Sequence, residues 1–110
     1  MVDFIKKDRI AFITFNRPEA KTAIAPPTHK RLCEIWKDFE SDKSVDVAIL
    51  TGNGDSFCAG ADLKSYMSRW PNATPEKVRE NIADGLGGLT RGLHRLKKPT
   101  IAAVNGWALA

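Results

Sequence analysis

Val45-Asp46-Val47-Ala48-Ile49-Leu50-Thr51-Gly52-Asn53-Gly54-Asp55 decides the fold class of this 110-residue chain. Four consecutive apolar residues, 47–50, predict a strand over 45–50 covered on both faces, as in a parallel sheet. Thr51 to Asp55 is turn chemistry. Upstream, Ile10-Ala11-Phe12-Ile13-Thr14-Phe15 reads as a second strand, apolar on both faces and so largely buried. Residues 2–6 can pair with it as a hairpin, although the turn Lys7-Asp8-Arg9 lacks glycine. Pro18 ends that strand because it cannot donate to a ladder. Between the two strands, Leu32, Ile35, Trp36 and Phe39 fall on one helical stripe, with Lys30, Glu34, Lys37 and Asp38 opposite. Pro27 suits the first turn of this helix, which should stop near Ser41-Asp42. Downstream come a short helix from Asp62 to about Arg69 and a loop at Trp70-Pro71-Asn72-Ala73. A longer helix opens at Thr74-Pro75-Glu76 and runs through Val78 and His94 to Lys97-Lys98, with Gly85, Gly87, Gly88 and Gly92 inside it. A last buried strand covers 101–104. The order β-β-α-β-α-α-β is that of an α/β sheet with crossover connections.

Composition narrows the class without naming a chemistry. Apolar residues are 43% and charged residues 27%, which places the chain among globular domains rather than disordered ones. Lys plus Arg number 17 against 13 Asp plus Glu, a net charge of +4 spread along the chain rather than gathered as in a nucleic-acid binder. No apolar run approaches the ~20 residues of a membrane span, and the N-terminus has no secretory pattern. Cys33, Cys58, His29 and His94 lack the spacing of a zinc site, so no metal is expected. Two cysteines form no disulfide framework, and a reducing, cytoplasm-like compartment is the default. The chain stops at Trp107-Ala108-Leu109-Ala110, apolar and uncapped beside a core strand, and so reads as the front part of a longer protein.

Phe57-Cys58-Ala59-Gly60-Ala61-Asp62-Leu63 carries the chemistry. Small residues let a ligand or another chain segment approach the backbone closely. The first N–H groups of a helix have no internal partner and point outward. Such amides can hold an anion, or an oxygen that becomes anionic during reaction. The Ala61 N–H is the donor of choice, with Asp62 as helix N-cap rather than catalyst. The same residues also fit a tight loop that merely saves space. Other patterns fail. Gly52 to Phe57 opens like a dinucleotide-binding fingerprint but has Phe57 at the last glycine position. Gly54 to Cys58 resembles a nucleophile elbow with Cys58 in place of its second glycine. No base adjoins Cys58, which reads as a small core thiol.

Four ordered blocks then point to a family. Asn16-Arg17-Pro18-Glu19-Ala20, Ala48-Ile49-Leu50-Thr51-Gly52, Phe57 to Leu63, and Lys98-Pro99-Thr100-Ile101-Ala102-Ala103-Val104-Asn105-Gly106 together resemble the front part of the crotonase (enoyl-CoA hydratase/isomerase) superfamily. The resemblance implies an α/β, crotonase-like spiral of ββα units, incomplete in this chain, with residues 1–110 as the N-terminal portion of a single domain. It implies an acyl-CoA-binding lyase that hydrates a 2-enoyl-CoA, as in fatty acid metabolism, through an oxyanion hole of two backbone N–H groups stabilising a thioester enolate. One donor matches Ala61, and the second falls on the first residue beyond Ala110. Coenzyme A contacts are implied at Ala20, Lys21, Ala59, Gly60, Ala61, Asp62, Leu63 and Lys64, with no separate cofactor because coenzyme A is part of the substrate. The acid/base glutamates lie further on, so the 110 residues alone should be inactive. Assembly as a trimer or hexamer, and a cytoplasmic or organelle-matrix location, are implied likewise. An isomerase, hydrolase or decarboxylase shares the enolate-holding site. A non-catalytic acyl-CoA or RNA binding module is a further alternative. Thr22-Ala23 stands where family members commonly carry Asn-Ala.

Overall fold

The computed structural model describes residues 1–67, 70–77 and 96–109. Strands β1 (Val2–Lys7) and β2 (Ile10–Phe15) precede helix α1 (Pro26–Ser41). Strands β3 (Val47–Gly52) and β4 (Ser56–Cys58) precede the short helix α2 (Leu63–Met67). A third strand pair follows, β5 (Thr100–Ala103) and β6 (Trp107–Ala108). Two successive strand–strand–helix units thus lead into the opening of a third.

Both strands of the first pair and the first members of the other two build one four-stranded sheet in the order β1-β2-β3-β5, antiparallel between β1 and β2 and parallel thereafter. The second members of the last two pairs, β4 and β6, form a separate parallel pair. The expected hairpin forms without glycine because Asp8 and Arg9 both take positive φ, 52° and 65°, as a two-residue hairpin turn requires. Arg9 is held there by Asp46, its Nε lying 2.6 Å from the carboxylate.

The expected helix is observed as α1, with Ala25 as N-cap, prolines in its first turn and Asp42 as C-cap. Its stripe of Leu32, Ile35, Trp36 and Phe39 is buried against Ala11, Ile13, Phe15, Ala48 and Leu50. Helix C-termini leave carbonyls without partners. Here the Lys98 ammonium serves two of them, donating to the carbonyls of Phe39 and Asp42.

Burial differs from expectation on the far side of this sheet. Cross-strand neighbours Ile5, Phe12, Ile49 and Ile101 form one row over all four strands. Phe12 is 37% exposed and Ile101 53%. The residues of 10–15 and 45–50 are therefore covered on one face, the face under α1. β5, expected to be buried, is exposed throughout; it is the terminal strand, with β3 as its one neighbour in the sheet.

The third strand runs 47–52 rather than 45–50. Val45 is a core residue placed before the strand, and Gly52 joins the ladder opposite Phe15. β4 and β6 were not expected. The short helix begins where Asp62 predicts it, and the Thr74 hydroxyl accepts the Lys77 N–H at 3.3 Å, as an N-cap does. The remainder of the expected long helix, with its four glycines and His94, lies outside the described residues.

The parallel ladder between β3 and β5 is extended by a side chain. Asn105 Oδ1 accepts the Gly52 N–H at 3.0 Å, while Nδ2 donates to the carbonyls of Gly52 at 2.7 Å and Gly54 at 3.0 Å. Asn105→Ala leaves the partly buried Gly52 groups unpaired, and equilibrium urea unfolding should register a loss of about 2 kcal/mol.

Candidate functional site: the amides of residues 59–62

The site begins where β3 folds back as β4. Gly52 has backbone on its Cα where a side chain would go: a Cβ there would overlap the carbonyl oxygens of Ser56 and Phe57. The absence of a side chain lets β4 cross tightly over the end of β3. Phe57 then packs edge-on against Phe15, with ring centroids 6.1 Å apart, and Cys58 is buried in the core cluster.

Residues 21–24 lie along the next segment like a strap. The Ala59 N–H donates to the Lys21 carbonyl at 3.1 Å. The Ile24 N–H donates to Gly60 O, and the Asp62 N–H to Ile24 O, each at 2.8 Å. These two bonds define a parallel bridge between Ile24 and Ala61. In a parallel bridge the flanking residues pair with the partner, and the central residue's own N–H points to the other side. Gly60 N–H meets Cys58 Sγ at 3.3 Å. Of the four amides 59–62, Ala61's alone has no acceptor among the described residues, and Ala61 is exposed. Gly60 is at φ +97°, a conformation that suits glycine, and it sets the direction of the peptide that follows.

The strap itself is strained. Lys21 and Thr22 both take left-handed φ, 52° and 57°. For a β-branched residue this is an outlier that persists only where its surroundings impose it. The buried Thr22 hydroxyl donates to the Phe57 carbonyl at 2.7 Å, tying the strap to β4.

Asp62 is the N-cap of α2, its carboxylate accepting the Ser65 N–H at 3.3 Å. It also receives Arg17 Nη1 at 2.7 Å. The Arg17 guanidinium, and next the Ser65 amide, hold the Asp62 carboxyl below its usual range. Lys21 Nζ lies 2.6 Å from Asp55, both side chains being exposed, and lowers the Asp55 pKa. An ion pair that open exchanges partners at little cost. Burial pushes the Cys58 thiol up, with the Gly60 amide opposing, which fits an inert core thiol.

The structure therefore brings the Lys21 backbone against Ala59, and Ile24 against Gly60, Ala61 and Asp62; Ala20 lies in the turn before the strap, bonded to Arg17 and Ala23. Leu63 and Lys64 form the exposed first turn of α2. Among the described residues, no three His, Cys, Asp or Glu side chains group to hold a metal ion, and no helix is long and apolar enough to cross a membrane. Sequence reasoning missed Arg17 as a partner of Asp62 and Asn105 as a clamp on Gly52. A strand-ending Asn-Arg-Pro and a turn-like Asn-Gly gave no local sign of partners 45 and 53 residues away.

Known proteins resemble this chain in sequence and in fold. The family model for enoyl-CoA hydratase/isomerase matches residues 6–110. A mevalonyl-coenzyme A hydratase of Aspergillus fumigatus is 43% identical over 101 residues, which are 91% of this chain and 35% of that protein. A hydroxycinnamoyl-CoA hydratase-lyase of Pseudomonas fluorescens is 39% identical over 102 residues, 92% of this chain and 37% of that one. The crystal structure of an enoyl-CoA hydratase from Mycobacterium tuberculosis superposes with a TM-score of 0.76 at 39% identity, over 99% of this chain and 39% of the other. An Acinetobacter baumannii structure described as a putative enoyl-CoA hydratase/isomerase gives 0.81 at 27% identity, over 96% and 41%. The chain thus spans well under half the length of the relatives it matches, and over that span it has their α/β, crotonase-like fold. With the match running almost from end to end, the chain belongs to the enoyl-CoA hydratase/isomerase family.

Proposed function

We propose that these residues are the N-terminal portion of a single-domain acyl-CoA lyase that adds water across the double bond of a 2-enoyl-CoA. In this reading the Ala61 N–H is one of two backbone donors that hold the thioester oxygen as it becomes an enolate oxygen. The observation that carries it is the accounting of amides: Ala59 and Asp62 donate to the strap, Gly60 to sulfur, and Ala61 to nothing among the described residues. A donor fixed by bonds on both sides needs no reorganisation when charge develops on its acceptor, which is how preset amides lower a barrier.

The β4–β6 register supports a second donor. Cys58 pairs with Ala108, and Leu109 N–H donates to Cys58 O at 2.8 Å. Past the ends of these strands, Ala61 follows Cys58 by three residues, as the position after Ala110 follows Ala108. That is where the family pattern sets the second amide. Ala20, Lys21, Ala59, Gly60, Leu63 and Lys64 then border the coenzyme A moiety. Lys21 can leave Asp55 for a phosphate, as an exposed pair allows. No cofactor enters this reading, since coenzyme A arrives as part of the substrate. Relatives named as hydratases and a hydratase-lyase favour hydration over isomerisation.

The test is turnover by the complete polypeptide that carries this chain. Hydration of crotonyl-CoA is the expected result, with residues 1–110 alone giving none above the uncatalysed rate. Failure of the complete polypeptide to hydrate any 2-enoyl-CoA, or hydration by 1–110 alone, contradicts the proposal.

A further inference from the structure

We infer that Arg17 is a positioning residue for this reaction, one that keeps the Asp62 charge off the thioester oxygen while fixing the strap beside it; the inference rests on the proposed enolate-holding role of Ala61. Arg17 is tied to both segments that flank the Ala61 amide. Its carbonyl accepts the N–H groups of Ala20 at 3.1 Å and Thr22 at 2.8 Å, which shapes the turn leading into the strap. Its guanidinium crosses to Asp62, with Nη1 2.7 Å from Oδ2. Both side chains are largely withdrawn from solvent, 26% and 15% exposed, unlike the other ion pairs nearby. The other acidic group in reach, Glu19, is 3.8 Å from Nε and mostly exposed, so Asp62 is the principal partner.

The chemistry explains why such a pair belongs here. A capping carboxylate one residue from an oxyanion donor places a full negative charge beside an oxygen that is itself becoming negative. Left unpaired, it would oppose the enolate more than the neutral substrate, and so raise the barrier without much affecting binding. A guanidinium hydrogen-bonded to the carboxylate cancels that charge and leaves the cap intact.

The complete polypeptide, assayed with crotonyl-CoA, separates charge cancellation from plain structural support. Arg17→Met should lower kcat about tenfold, the scale of one uncompensated charge about 6 Å away at an effective dielectric near 40, between protein surface and water, with KM within about twofold. Adding Asp62→Asn, which removes the charge but still caps the helix, should restore kcat about fivefold relative to Arg17→Met. Arg17→Lys, which keeps the charge, should lose less than Arg17→Met. A double variant no faster than Arg17→Met, or an Arg17→Met whose kcat is unchanged or whose loss lies in KM, overturns the inference while leaving the function standing. Should Arg17→Met fail to fold, an Arg17→Lys enzyme slowed by tenfold or more overturns it equally. An unsubstituted protein without turnover overturns the proposed function and this role together.

Discussion

Replacing the peptide bond before Ala61 by an ester, with lactic acid in place of alanine, should lower kcat of the complete polypeptide by about 10²–10³. The change removes one N–H and keeps the methyl side chain. Ala61 N–H has no acceptor among the described residues, so its loss should leave the folded state nearly as stable as before. The bonds that fix the strap use the N–H groups of Ala59, Ile24 and Asp62 and the carbonyls of Lys21, Ile24 and Gly60. The Gly60 carbonyl becomes the ester carbonyl, a weaker acceptor, so a small cost in stability at Ile24 is expected. The corresponding ester before Ala59 instead removes the donor to Lys21 O, and should act on stability more than on kcat. An effect in the opposite order would mean that the bonded amides, not that of Ala61, serve the substrate.

Phe39→Ala should cost about 3–5 kcal/mol of stability. Phe39 is fully buried at the C-terminal end of the α1 stripe. Its ring stands edge-on to Trp36, with centroids 6.1 Å apart, and Lys98 Nζ lies 5.1 Å above it. The same ammonium donates to the Phe39 carbonyl at 2.6 Å. Truncation therefore opens a cavity beneath the sheet and takes the ring from a cation that joins α1 to the chain just before β5. Phe12→Ala is the control. Phe12 is equally aromatic but 37% exposed on the uncovered face, and its loss should cost less than half as much. Thermal unfolding of the two variants measures both.

The parts of this fold that were legible in the sequence are those set by local pattern. α1 was visible because its stripe repeats with helical period and prolines mark its start. The amide at Ala61 was visible because small residues run into a capping aspartate. β4 and β6 were not: they are three and two residues long, and their pairing joins positions about 50 apart, Ser56 with Trp107. Apolar residues on both sides of Ile10–Phe15 were read as two covered faces, but apolarity does not say what covers it. Here the row from Ile5 to Ile101 faces outward. Thr22 could not be placed in advance, since a β-branched residue argues against the left-handed conformation that its bond to Phe57 imposes. Arg17 and Asp62 lie 45 residues apart, and a single charge beside a proline has no periodicity to betray its partner.

The infrared spectrum of an enoyl-CoA carrying a ¹³C-labelled thioester carbonyl tests the central claim most directly. A hydrogen bond from a preset amide polarises the carbonyl and lowers its stretching frequency. On binding to the complete polypeptide the labelled band should move to lower frequency, and most of that displacement should vanish when the residue-61 amide is an ester. A band displaced equally in both proteins would show that the oxygen is held elsewhere.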